Sequence, residues 1–207
     1  MALEVFDART DIRNLFITPE IRSRIMRFEP GQVSEGHTHD VGHEMFVVLA
    51  GQAEFTIGGE SAVLGPLQMC VARAGEWHAL RTVGDEPMTL YLSVTPHLEP
   101  THTQWDRAGG TRLPYRYGVA TQDRSSAPPE TLVARHLAAS EALASAAQAN
   151  LAAQQTSAST LTQAIETGAT AAAHESLDQM TNALQSFYVR FREAELAWNE
   201  LAAAVGN

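Results

Sequence analysis

The sequence has almost no cysteine: Cys70 is the only one in 207 residues, so no internal disulfide can form. A lone thiol fits a reducing compartment. Long apolar runs are missing too. None approaches the roughly 20 residues a membrane-spanning helix needs. The opening MALEVFDARTD has acidic residues and no apolar core, so it does not read as a secretory signal. Positive charge is scarce. Fourteen Lys+Arg face 24 Asp+Glu, for a net charge of -10 and a pI near 5.2. That balance argues against nucleic acid and against an anionic membrane surface as partners. The expectation is a soluble, cytoplasmic protein. No Ser-His-Asp motif, phosphate loop or obvious carboxylate pair is recognisable.

Proline is absent after residue 129, and that absence divides the chain. Before residue 125, Gly and Pro punctuate short apolar runs. Candidate strands are 15–18, 21–28, 44–49, 53–57, 62–64, 68–72, 77–82 and 88–94. Turn signals such as Pro30-Gly31, Gly58-Gly59, Gly65-Pro66 and Gly84-Asp85 separate them. Short strands about ten residues apart, with no helical pattern between them, indicate an all-β sandwich or barrel over residues 1–124.

Residues 125–130, Ser-Ser-Ala-Pro-Pro-Glu, read as a linker leading into a helix start. Alanine, the best helix former, then dominates 131–207. Thr167-Gly168-Ala169-Thr170 is the one break. The spacing predicts two helices over 131–166 and 171–205, each roughly 50 Å long. Leu177, Met180, Leu184, Phe187, Phe191, Ala194, Trp198, Leu201 and Val205 alternate by 3 and 4, a heptad stripe. Leu137, Ala144, Ala147, Leu151, Ala158, Leu161 and Ile165 fall on a similar frame in the first helix. An α-helical hairpin follows, and two hairpins from two subunits would make a four-helix bundle. A homodimer is the expected assembly.

The chemistry concentrates in Gly31-Gln-Val-Ser-Glu-Gly-His37-Thr-His39-Asp-Val-Gly-His43-Glu44. His37 and His39 are two apart, so on a strand both imidazoles project from one face. Glu44 opens an apolar strand and can return to the same interior. Further on, Gly75 precedes His78 at the head of another strand. Three imidazoles and one carboxylate suit a divalent transition metal: Fe, Mn, Ni, Co, Cu or Zn.

This pattern resembles the cupin superfamily. Gly31, His37, His39, Glu44 and Gly51 fill every position of its first motif, Gly, five residues, His-x-His, four residues, Glu, six residues, Gly. Its second motif is matched at Gly75 and His78 only. Arg73 stands where Pro is expected, Thr82 where Asn is expected, and Gly65 lies two residues too far upstream. The resemblance covers about residues 20–97 and does not extend to the helices. It implies a jelly-roll, double-stranded β-helix barrel with one divalent metal held by His37, His39, Glu44 and His78. It also favours Glu44 over His43 as the carboxylate position, with His43 facing away.

Strand alternation then puts Phe46, Val48 and Leu80 on the pocket wall, an apolar cavity with few polar groups. Arg73 reads as a solvent-facing edge residue and Cys70 as a strand residue with no partner to make it a nucleophile. His97, His102, His136 and His174 read as ordinary histidines, though His97 and His102 flank the barrel's end, where one of them can close over the mouth. Two functions remain open. One is a metal-dependent enzyme on a small organic molecule, a dioxygenase favoured over an isomerase or decarboxylase. The other is a metal-containing small-molecule binding or sensory module whose helices dimerise or dock a partner.

Overall fold

Glycine and proline cut the first half of the chain into ten strands: β1 (Asn14–Ile17), β2 (Arg22–Phe28), β3 (His37–Thr38), β4 (His43–Ala50), β5 (Gln52–Ile57), β6 (Glu60–Leu64), β7 (Met69–Ala72), β8 (His78–Val83), β9 (Met88–Thr95) and β10 (Thr103–Gln104). The computed structural model describes residues 3–106, 110–118 and 125–205. It divides into two units, residues 1–125 with 202–207, and residues 126–201. No helix among the described residues is long and apolar enough to cross a membrane.

Two five-stranded antiparallel sheets form the first unit, in the orders β1-β2-β9-β4-β7 and β10-β3-β8-β5-β6. This is the double-stranded β-helix barrel that the spacing and the resemblance implied. Burial explains it. In β4, Glu44, Phe46 and Val48 are buried while His43 and Met45 are exposed, so one face packs inward. Phe28, Phe46, Phe55, Leu80, Leu90 and Leu92 meet between the sheets. Each such side chain stabilises the fold by roughly 1.5–3 kcal/mol on burial. The eight anticipated strands all form. The two short ones, β3 and β10, carry no apolar alternation and were not foreseen.

The second unit is a helical hairpin of α1 (Pro129–Thr167) and α2 (Thr170–Val205). Gly168 adopts a left-handed conformation, φ 69°, and its N–H caps α1, which is why the chain breaks there. Gln154 Nε2 donates to Met180 O at 2.9 Å, and Ser157 Oγ meets Gln179 Oε1 at 3.1 Å, fixing an antiparallel register. The face α1 turns to α2 is not the anticipated stripe. Ser157 and Ala164 are buried, whereas Leu137, Leu151 and Ile165 stay 57%, 57% and 66% exposed. The contact frame lies one residue N-terminal of the bulky one, because small side chains let the helices approach closely.

One close approach positions both ends of the site. A Cβ on Gly36 would lie 2.0 Å from Cζ2 of Trp77. Gly36 precedes His37 and Trp77 precedes His78, and these histidines are paired across β3 and β8. Gly36→Ala should therefore push the Trp77 indole from its seat, at a cost of about 1–3 kcal/mol. Thermal melts should show the loss, and tryptophan emission should shift to the red in a protein that keeps its far-UV β signal.

Candidate metal centre

His37 and His78 face each other on neighbouring strands of one sheet, and Glu44 comes from the opposite sheet. His39 follows β3 directly. One donor atom from each of the four lies within 4.8 Å of every other. Glu44 Oε2 is 3.0 Å from His39 Nε2, 2.8 Å from His78 Nε2 and 3.8 Å from His37 Nε2. Three of the four are nearly closed to solvent, His39, Glu44 and His78 at 2%, 2% and 3% exposed, while the His37 side chain keeps 18%.

The outer ring nitrogens decide what the inner ones can do. His37 Nδ1 bonds Glu35 O at 3.0 Å, and His78 Nδ1 bonds Glu76 O at 2.9 Å. Each uses the carbonyl two residues upstream. His39 Nδ1 bonds Thr101 O, delivered from far along the chain. A carbonyl only accepts, so each Nδ1 donates its proton outward and each Nε2 points inward. With a proton on it, such an Nε2 bonds Glu44 Oε2, as at His39 (3.0 Å) and His78 (2.8 Å); without one, its lone pair is offered to a cation among the four. Carbonyl-anchored imidazoles with inward Nε2 atoms are the arrangement that metal-binding histidines adopt.

The charge states fit this. Burial, reinforced by His78, pushes His37 down to about 4, so it is neutral at pH 7. Burial alone would raise Glu44, but bonds to His39 and His78 outweigh it and hold the carboxyl well below its usual range. The donor set offered to a cation is three imidazole nitrogens and one carboxylate. It fits a borderline divalent cation with positions left over for water or substrate.

A cavity of about 310 Å³ opens beside these groups. His37, Glu44 and His78 line it, with Phe46, Phe55, Leu80 and Leu92 among the apolar wall residues. Of the anticipated pocket residues, Phe46 and Leu80 line it. Val48 does not: it is fully buried in the core one step further along β4. His43 is exposed, and its Nδ1 accepts from Ala74 N at 3.0 Å. Arg73 is exposed as well. Burial, with Glu44 adding to it, pushes the Cys70 thiol up to about 11, which leaves it unreactive. His136 packs on Trp198 at 5.4 Å, and His174 is exposed.

His102, placed at the barrel's end by the sequence, reaches the cavity, and the arginines of β2 join it unanticipated. His102 brings its ring to 4.4 Å from His37 and 5.0 Å from His39, and it lines the cavity. Burial and the neighbouring His37 lower its pKa, so it sits there as a neutral imidazole. Arg22 and Arg24 line the cavity too, so it is not the largely apolar space anticipated. Burial lowers Arg22 to about 10, and it remains a cation at neutral pH. The signal for both was in view: Arg22, Arg24, Met26 and Phe28 alternate along β2 and all reach the same cavity.

Residues 24–95, which include all four clustered residues, match the family model described as Cupin domain. No curated protein matches the sequence. Among solved structures, the chain is similar to a conserved protein with a double-stranded β-helix domain from Klebsiella pneumoniae subsp. pneumoniae MGH 78578. The two are 23% identical over 46% of this chain and 91% of that one, with a TM-score of 0.44. It is also similar to a protein from Thermus thermophilus, at 23% identity over 45% and 98%, TM-score 0.44. KdgF from Halomonas sp. is 22% identical over 42% and 79%, TM-score 0.39. Residues 24–95 of this chain are a cupin domain.

Proposed function

We propose that the barrel binds one divalent transition metal through His37, His39, Glu44 and His78, and uses it to transform a small organic molecule held in the adjoining cavity. The observation that carries this reading is the convergence of three Nε2 atoms on a buried carboxylate, with every Nδ1 tied to a carbonyl. Bound there, an Fe, Mn or Ni ion with open positions supplies activation of O2 or polarisation of a carbonyl or enol oxygen. The chain's own residues do the rest. Apolar wall residues limit the access of water, and the buried Glu44 sets one negative charge against the ion. Oxygen chemistry, of the dioxygenase kind, is preferred over isomerisation or decarboxylation on the apolar wall of Phe46, Phe55, Leu80 and Leu92.

Elemental analysis of protein purified without metal supplementation should find about one transition-metal ion per chain, and His39→Ala should lose it. The metal-loaded protein should then consume O2 with at least one member of a panel of phenols, thiols and keto acids. A loaded protein that turns over nothing on that panel removes the enzymatic reading and leaves a binding module.

The helices favour a second element of function, assembly. Packing of α1 on α2 leaves Leu137, Leu151 and Ile165 on one helix, and Leu177, Leu184 and Phe191 on the other, substantially exposed. Apolar side chains at heptad spacing on a solvated helix mark a face that a second helix covers. A second hairpin of the same chain is the occupant proposed, giving a homodimer through a four-helix bundle. Light scattering should report a dimer for the full-length protein and a monomer for Leu184→Glu with Phe191→Glu. The helical content of the double variant should be unchanged.

A further inference from the structure

The two arginines on β2 carry an inference about what enters the cavity. Arg22 is 1% exposed, and its Nε and Nη1 have no hydrogen-bond partner among the described residues. Arg24 Nε has none either. A guanidinium presents five donors in a fixed fork, and leaving them unpaired in a dry interior is costly. Glu44 and Glu99, the carboxylates whose charge acts on Arg22, make no hydrogen bond to its Nε or Nη1. Glu44 Oε2 faces His39 and His78, and Glu99 Oε2 accepts from Gly118 N at 3.0 Å.

Register puts these arginines on the wall of the same cavity as the metal-facing side chains. Arg22 pairs with Val94, and Val94 pairs with Glu44, so Arg22 and Glu44 share one cross-strand row. They sit two strand spacings apart, about 10 Å. Arg24 and Phe46 share the next inward-facing row through Leu92. Arg116 adds a third guanidinium to the lining. The lining sets three guanidiniums against the carboxylates of Glu35 and Glu44, a local excess of cations in a chain of net charge -10. Past them the wall is apolar: Met26, Phe28, Phe55 and Leu80.

The geometry points to a specific ligand class: a small organic carboxylate, its anionic group on the Arg22–Arg24 fork and its apolar body against the Phe55–Leu80 wall. A carboxylate matches a guanidinium fork with two parallel hydrogen bonds, and it supplies the acceptors that Arg22 lacks. A charged head at one end and an apolar body at the other fix which part of the molecule lies beside the histidines. The inference rests on the reading above in taking this cavity as the substrate site. The binding step itself depends on the arginines and not on the metal.

The test is calorimetric titration of the full-length protein, as purified and after chelation. The probes are benzoate, hexanoate and 2-oxobutyrate, each beside its neutral amide. At least one carboxylate should bind tenfold or more tightly than its amide, in both forms of the protein. Arg22→Gln should weaken that carboxylate by tenfold or more, with metal content unchanged by elemental analysis. Arg22→Lys, which keeps the charge and loses the fork, should fall between. Arg24→Gln gives a second reading if Arg22→Gln does not fold, and the carboxylate-to-amide ratio needs no variant at all. Amides binding as tightly as their acids, or no carboxylate binding, would overturn the proposal. So would carboxylate binding that disappears on chelation and ignores both arginine variants, since the anion would then sit on the metal. A protein that holds no metal yet shows arginine-dependent carboxylate binding would remove the metal reading and leave this one standing.

Discussion

Three imidazole nitrogens and a carboxylate are crowded within 4.8 Å in a buried space, and much of the barrel is arranged to hold them there. The restraint is built from backbone. Carbonyls of Glu35 and Glu76 fix His37 and His78 from two residues upstream, while Thr101 fixes His39 from beyond β9. Glu44 is carried on the other sheet, so the cluster spans the gap between the layers rather than lying along one of them. Neither layer completes the set alone. The seam between β3 and β8, where His37 faces His78, has to close before the donors meet, and Gly36 lying under Trp77 is what lets it close.

That dependence explains which parts of the site the sequence made legible. His37, His39 and Glu44 sit close together in the chain, and their spacing is set by strand period and one short loop. Their closeness in the chain marks the motif, with the short loop 40–42 carrying Glu44 across to the facing sheet. His78 is remote, but its turn glycine and strand start mark it. Arg22 is different. It reaches the Glu44 row only through Val94 on β9, so its place follows from the register of three strands that no local pattern encodes. The alternation of Arg22 and Arg24 was readable; that their face is the cavity face was not. His102 likewise arrives on a segment with no periodicity, held by tertiary contact alone.

The helices fail in a complementary way. Their existence, the break at Gly168 and the hairpin were all legible, because alanine content and a single glycine decide them locally. The packing frame was not. The bulky stripe predicted one contact line, and the helices use the line of small residues beside it, with Ser157 and Ala164 buried and Leu151 and Ile165 left out. Burial of large apolar groups stabilises a helix pair at roughly 25 cal/mol per Å², but close backbone approach through Ala and Ser offers many weaker contacts at once. Apolar periodicity alone does not choose between these in a sequence where most positions are small. The choice determines which residues remain for another partner.

The cavity gathers these strands of argument into a polarity. At one end are the converging donors, a carboxylate held ionised by two histidines, and two guanidiniums one row apart. At the other are aromatic and aliphatic walls. Glu44 is the only carboxylate among the four clustered donors, so a divalent ion there leaves one positive charge in excess. Arg22, Arg24 and Arg116 add three more, partly offset by Glu35 in the lining and by Glu99, whose charge acts on Arg22. A neutral ligand would leave that excess uncompensated, whereas an anion reduces it while donating the acceptors that Arg22 lacks. The metal-site reading and the anion reading thus support each other through charge balance, although each stands on its own residues.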